Sequence, residues 1–373
     1  MSNKSQPLIT VVGAGISGLY VTYCLTELYG VPGENICIVA DYLPGDQSPT
    51  GYTSPWAGGV WSCISPDDKN VMWYDRFTYE NLPTLSEKLL DFYKGKDAEW
   101  LGLARRPSTE LWDYQPPKAK INSLSQYLEE YKVLSKEELA KFKPEGAQFG
   151  IAFNSWNFNC PVFIVNLANF LKQKHNVRFL KQKLTHIAQA KSFANKASKT
   201  DNGTHVVFNC TGLGSKKLSG VADHNLYPTR GQVAVISAPH IAESCLRYGK
   251  DYVTYIIPRP GKVHELVLGG FLQVDNWNAQ DTSKEETDDI LKRTTTLLPK
   301  IGNPENLPIL KIAAGLRPSR YGGPRVEKEI KEESEHLVVV HNYGASGYGY
   351  QSGLGMAFKA VSLAFDKQRP SKL

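Results

Sequence analysis

The sequence predicts an α/β fold in which a Rossmann-like domain is interleaved with an α+β domain built on an antiparallel sheet, and three observations carry the prediction. A β-branched run, Leu8 to Val12, leads into Gly13, Ala14, Gly15, Ile16, Ser17 and Gly18, then into a helical pattern through Leu19, Cys24 and Leu28. A second apolar run, Ile36 to Ala40, ends in Asp41, about twenty residues past the last glycine. Between Val233 and Gln273 the runs Val233 to Ile236, Tyr252 to Pro258 and Leu266 to Leu272 alternate with turns, as antiparallel strands do.

Each residue of the first motif has a physical task. Gly13 permits the tight turn, Gly15 lets the backbone approach a pyrophosphate, and Gly18 lets helix and strand pack closely. The helix start turns its unpaired N–H groups toward the phosphates, and Asp41 accepts hydrogen bonds from ribose hydroxyls. Strand, glycine turn, helix, strand and acid in that order predict dinucleotide binding. Residues 63 to 154 are less regular and rich in Trp, Tyr, Pro and Lys, which suits an inserted domain. Val206 to Cys210, followed by Thr211, Gly212, Leu213 and Gly214, reads as a parallel strand returning to the nucleotide fold. Leu337 to His341, a glycine-rich turn and a closing helix complete it.

A chain of 373 residues can bury one large or two modest cores, and 41% hydrophobic with 21% charged residues is a globular balance. The net charge of +6 is spread along the length with no basic stripe interleaved with aromatics, so nucleic acid is not an expected partner. The most basic stretch, Lys172 to Lys183, alternates with Phe170, Leu171, Val177 and Leu180 as the solvated face of a helix leading into a strand. Cys24, Cys37, Cys63, Cys160, Cys210 and Cys245 are far apart, form no CxxC or Cys/His pair, and read as buried thiols; no metal site is expected. No apolar run approaches membrane-spanning length, and the sequon at Asn202 reads as a chance match. Ser371, Lys372 and Leu373 spell the address that the peroxisomal import receptor reads at a free C-terminus, which makes the peroxisome matrix the expected location.

Gly51 to Trp61, GYTSPWAGGVW, is uncharged and offers backbone N–H groups and hydroxyls to a phosphate or a flavin ring, where a nicotinamide dehydrogenase would continue into a helix. His341 to Gln351, HNYGASGYGYQ, again sets small residues before a helix, whose positive end would stabilise the negative charge of a reduced flavin. FAD is therefore favoured over NAD.

These stretches, with VVGAGISGLY (11 to 20), YTSPWAGG (52 to 59), VVFNCTGLG (206 to 214), YPTRGQV (227 to 233), TYIIPRP (254 to 260) and GLRPSRYGGPRVE (315 to 327), resemble the D-amino-acid oxidase family, particularly its yeast members. The likeness covers nearly the whole chain except about 65 to 145. It implies FAD-binding segments at 1–62, 155–216 and 312–373, the last with the targeting tail, and substrate-domain segments at 63–154 and 217–311. It implies cofactor contacts from Gly13, Ala14, Gly15, Ile16, Ser17, Asp41, Tyr42, Thr53, Ser54, Gly58, Gly59, Leu184, Thr211, Gly212 and Arg317. Ser346, Gly347, Tyr348, Gly349, Tyr350 and Gln351 complete that site. On the substrate side it assigns Arg317 to the carboxylate, Tyr255 as an assisting hydroxyl and the Gly347 carbonyl to the amine, with Gln351 also in the active site. The family's second active-site aromatic has no hydroxyl counterpart near Phe271 and Leu272. Some relatives form homodimers.

An amino acid is a zwitterion, so a site for it needs a fixed cation for the carboxylate and an acceptor for the amine; a planar guanidinium grips a carboxylate with two parallel hydrogen bonds. With the amine neutral, the α-hydrogen leaves as a hydride and no strong protein base is required. The histidines form no obvious carboxylate pairs, and His341 reads as structural. The expected activity is FAD-dependent oxidative deamination of neutral D-amino acids such as D-alanine, giving 2-oxo acid, ammonia and hydrogen peroxide. The alternatives are a D-aspartate oxidase, for which Arg247 is the candidate second cation beside a polar lid of Tyr248, Lys250 and Asp251, and a flavin-binding protein without oxidase activity.

Overall fold

The computed structural model describes residues 8–46, 51–193, 205–278, 281–330 and 337–365; Asn202 and Ser371-Lys372-Leu373 lie outside them. The chain divides into two compact units: Met1–Ser54, Ile164–Tyr227 and Pro318–Leu373 form the first, Pro55–Phe163 and Pro228–Arg317 the second. The chain thus passes between them four times. The junctions fall at 54/55, 163/164, 227/228 and 317/318, where the sequence suggested 62/63, 154/155, 216/217 and 311/312. The shift has a local cause: Gly59 to Trp61 is tied to Phe158 and Trp156 by backbone hydrogen bonds, so the segment after Ser54 joins the second unit before position 62.

The first unit is built on a six-stranded sheet. Its strands run, in spatial order, Arg325–Ile330, Leu337–Tyr343, His205–Asn209, Leu8–Val12, Ile36–Ala40 and Arg178–Lys181. All pair in parallel except the first with the second. A parallel sheet covered on both faces needs apolar residues at nearly every position, and Ile36–Ala40 is buried throughout. Ile9, Val11, Ile38 and Val39 are fully enclosed; each stabilises the fold by about 1.5–3 kcal/mol. The helix Ile16–Tyr23 continues as a π-type turn over Cys24–Leu28, and it packs against the helix Gly353–Phe365. Gly13 has a φ of +107°, and a Cβ on Gly18 would lie 2.0 Å from the Gly13 carbonyl oxygen, so the turn and the packing both require glycine.

The second unit centres on a nine-stranded sheet in the order Gln273–Val274, Leu226–Ser237, Glu265–Gly269, Val253–Pro258, Ser244–Tyr248, Leu103–Trp112, Phe149–Phe158 and Lys132–Val133, with Ile309–Arg320 also paired to Leu226–Ser237. From Gln273–Val274 to Lys132–Val133 the neighbours are antiparallel except Leu103–Trp112 beside Ser244–Tyr248. The helix Lys284–Leu297 packs Ile290 and Leu291 onto Ile236, Ile256, Leu266 and Leu268 of this sheet. Ser283 caps it by accepting from the Glu286 N–H, and Glu285 and Glu286 suit its positive end. A 24-residue helix, Lys69–Phe92, capped by Asp68, occupies part of the region the sequence left unassigned. Among the described residues no helix is long and apolar enough to cross a membrane.

Candidate active site

Five parallel strands of the first unit point their C-terminal ends toward one edge of the sheet, and the expected cofactor residues follow those ends. Gly13 to Ser17 come after Val12, Asp41 and Tyr42 after Ala40, Leu184 after Lys181, Thr211 and Gly212 after Asn209, and Ser346 to Gln351 after Tyr343. This is the edge at which open α/β sheets bind ligands. Hydrogen bonds stitch the segments together: the Ile16 N–H donates to Ser54 Oγ at 3.0 Å, Tyr52 donates to the Ala14 carbonyl at 2.7 Å, and Tyr350 donates to the Ser54 carbonyl at 3.0 Å. Tyr42 stacks on Tyr52. Thr211 shares its hydroxyl with Asn209 and Ser215, and its N–H donates to Asn209 Oδ1, so this turn is held by its own polar groups.

The cradle fits an anionic dinucleotide. The helix from Ile16 starts at Gly15 without a side-chain cap and with no acidic residue in its first turn, and the helix from Gly353 likewise has no acidic first turn. A carboxylate at either start would repel a phosphate or a reduced flavin, and neither helix places one there. Among the described residues the half-exposed Asp41 has a single 3.6 Å approach, from the exposed Lys183, a weak pairing that ribose hydroxyls can replace.

The remaining expected residues lie in the second unit. Arg317, on the strand Ile309–Arg320, donates from Nη1 to the Phe271 carbonyl at 2.9 Å, and its Nη2 stands 3.4 Å from the Tyr255 hydroxyl. Tyr255 pairs with Gly269 across the sheet, and its ring lies so close over Gly269 and Gly270 that a Cβ on either would be 2.2–2.3 Å from a ring carbon. Gly231 plays the same part for Arg317: a Cβ there would sit 2.2 Å from Nη1. Gly58 backs onto Ile257 and Tyr255, and a Cβ on Gly59 would strike the Phe158 carbonyl oxygen, so packing within this unit accounts for both glycines. Sequence reasoning missed Gly231, Gly269 and Gly270, because their roles come from cross-strand register and no local motif announces it.

Charge separates Arg317 from the other enclosed arginines. Arg230 pairs with Glu286 at 3.0 Å, Arg247 with Asp113 at 2.8 Å and Arg259 with Glu265 at 3.0 Å. Among the described residues Arg317 has no ion-pair partner; the Phe271 and Thr229 carbonyls and a phenol hold it in place and neutralise nothing. A half-buried cation fixed in this way is ready to take a carboxylate from outside.

Other candidates resolve differently. Arg247 is spent on Asp113 and the Pro144 carbonyl, and Tyr248 is buried with its hydroxyl on Glu110, so neither belongs to a polar lid. Arg320 and Arg325 join a network around Asp223 and Tyr343 within the first unit. His341 is enclosed between Asn209 and Glu329, and burial holds its pKa below the usual value, which makes it a neutral structural imidazole. All six cysteines are buried and none forms a disulfide, and no group of three His, Cys, Asp or Glu among the described residues is placed to hold a metal.

Residues 9–363 match the FAD dependent oxidoreductase family, DAO. A D-amino-acid oxidase of Schizosaccharomyces pombe is 38% identical over 373 residues, covering 98% of this chain and 99% of that protein. A D-aspartate oxidase of Cryptococcus neoformans is 29% identical, covering 97% of each. Glycine oxidase from Bacillus cereus has a similar solved fold, with a TM-score of 0.70 at 18% identity over 98% of this chain and 96% of that one.

Proposed function

The chain belongs to the FAD dependent oxidoreductase family and uses FAD, and from that premise we propose that it oxidises neutral D-amino acids such as D-alanine. The observation that carries the proposal is Arg317, a cation held by two carbonyls and a phenol and without a counter-charge among the described residues. A substrate carboxylate supplies that charge, and the planar guanidinium fixes its orientation as well as its position. Tyr255 adds a hydroxyl on the same side, and the Gly347 carbonyl is proposed to receive the amine. With the carboxylate fixed by Arg317, the α-carbon hydrogen is the group proposed for transfer as hydride, so no histidine or carboxylate base is needed.

When bound, FAD supplies the acceptor for the hydride and returns the electron pair to oxygen, so that amino acid, O2 and water become 2-oxo acid, ammonia and hydrogen peroxide. A flavin carrier without turnover would have no use for an unpaired arginine braced by a carbonyl and a phenol. A D-aspartate oxidase would need a second cation for the side chain, and Arg247 is already neutralised by Asp113. Location in the peroxisome is proposed from Ser371-Lys372-Leu373 read at a free C-terminus; a fluorescent fusion that masks this end should stay outside peroxisomes, and import of the masked form would end that proposal.

The test is Arg317→Ala. The variant should keep its yellow colour while kcat/KM for D-alanine falls by about 10³-fold or more, because a charge-assisted bidentate anchor is lost. Tyr255→Phe should cost about tenfold, since the guanidinium remains. Unchanged kinetics in Arg317→Ala would remove this residue from the site, and a wild-type ratio favouring D-aspartate over D-alanine would reverse the substrate assignment.

A further inference from the structure

We propose that Arg293 is a positioning residue that sets the geometry of the carboxylate clamp, an inference that rests on Arg317 being that clamp. Arg293 lies on the helix Lys284–Leu297 and touches neither Arg317 nor the Tyr255 hydroxyl by any hydrogen bond recorded between described residues. Its Nη1 donates to the Val253 carbonyl at 2.9 Å and to Thr254 Oγ1 at 2.8 Å, while Nη2 donates to the Gly270 carbonyl at 3.1 Å. Its guanidinium carbon stands 5.2 Å from the centre of the Phe271 ring. Nε is satisfied by Asp289 at 2.7 Å, one turn away on the same helix.

Those attachment points are adjacent to two of the three anchors of Arg317, the Phe271 carbonyl and the Tyr255 hydroxyl. Thr254 precedes Tyr255, whose hydroxyl faces Arg317, and Gly270 precedes Phe271, whose carbonyl accepts from it. Arg293 therefore fastens the strand bearing one anchor to the chain bearing the other, alongside the backbone bond from the Gly270 N–H to the Val253 carbonyl at 3.2 Å. The strand Glu265–Gly269 ends before Phe271, so regular sheet pairing does not fix the orientation of the Phe271 carbonyl. A forked guanidinium can reach acceptors in two directions at once, and a lysine ammonium in the same place cannot reproduce that fork. Arg293 thus ties the helix to both of these anchors at once.

Because the carboxylate is held in the ground state and in the transition state alike, a misplaced clamp weakens binding in both and appears in KM more than in kcat. The experiment uses the flavin-loaded chain with Arg293→Lys, Arg293→Met and Thr254→Val. It measures kcat and KM for D-alanine, and by flavin absorbance the Kd for propionate, a carboxylate with no amine. Arg293→Met should raise KM and the propionate Kd together by about tenfold, Arg293→Lys by about threefold to tenfold and Thr254→Val by about threefold, with kcat changed by less than about threefold in each. A merely structural arginine would lower the melting temperature or the yield of loaded protein and leave KM and the propionate Kd alone. Thr254→Val is near-isosteric and keeps the test decisive if Arg293→Met does not fold. Wild-type KM and propionate Kd in folded Arg293→Lys and Thr254→Val would overturn the proposal. If the unmodified chain turned over no D-amino acid, the assigned function would fall, and the propionate measurements would still decide the role of Arg293.

Discussion

Replacing Gly231 with alanine adds one methyl group and should disable the clamp without unfolding the chain. The new Cβ would stand 2.2, 2.5 and 2.6 Å from Nη1, Nη2 and Cζ of Arg317. Relief to ordinary van der Waals contact needs a displacement of roughly 1 Å, and an arginine head would normally provide it cheaply. Here the head is held by the Phe271 carbonyl at 2.9 Å and stands 3.4 Å from the Tyr255 hydroxyl, and neither approach survives such a shift unchanged. Misplacing a substrate-orienting group by this distance costs about 10²-fold in rate, or about 2.7 kcal/mol in transition-state stabilisation. Gly231 sits inside the strand Leu226–Ser237, where alanine is compatible with the backbone, so the structural cost is that of overpacking, about 1–3 kcal/mol. Steady-state kinetics with D-alanine on the yellow, folded variant, alongside a melting curve, separate the two effects. A folded Gly231→Ala with wild-type kcat/KM would refute the idea that the Arg317 position is critical.

Two further outcomes follow from the buried charges of the second unit. Glu110 is fully enclosed, accepts from the Cys63 N–H at 2.9 Å and from the Tyr248 hydroxyl at 2.8 Å, and burial pushes its pKa up to about 7. A carboxyl with a raised pKa binds its proton more tightly when folded, so its contribution to stability is greatest at low pH and falls as pH rises from about 4.5 to about 7, by on the order of 3 kcal/mol. Melting curves of wild type and Glu110→Gln across that range should diverge with this sign, and parallel curves would show that Glu110 does not titrate there. Arg247→Met strands Asp113 and the Pro144 carbonyl, and should cost about 2–4 kcal/mol in denaturant unfolding while leaving the D-alanine to D-aspartate turnover ratio within about twofold; a changed ratio with unchanged stability would bring Arg247 back as a specificity residue.

The parts of the molecule legible in the sequence are those whose physics is local. Leu8–Val12, Ile36–Ala40, His205–Asn209 and Leu337–Tyr343 are short apolar runs bounded by glycine turns, and parallel strands covered on both faces have no other way to be written. The helix Lys69–Phe92 was not legible: it carries Pro83, exposes charged and aromatic residues alike, and has only a diffuse apolar face. The cradle could be assembled from its glycines and Asp41, whereas Arg317 and Tyr255 carried no signal of their own and were reached through the family resemblance. What singles out Arg317 is the absence of a counter-charge, a property of its surroundings. Gly231, Gly270 and Arg293 were out of reach for the same reason, since one packs and the others bond only after three separate strands and a helix have come into register.

The six cysteines acquire a meaning from the proposed product. Thiolates, and not thiols, react with peroxide, and the first step of that ladder is sulfenic acid. Every sulfur here is enclosed, and burial raises the pKa of Cys24, Cys37, Cys63, Cys210 and Cys245, that of Cys245 to about 12. On the proposed activity, peroxide would form beside a chain whose Cys24, Cys37, Cys63, Cys210 and Cys245 thiols are buried and held in the protonated form, which turns oxidative wear toward other residues.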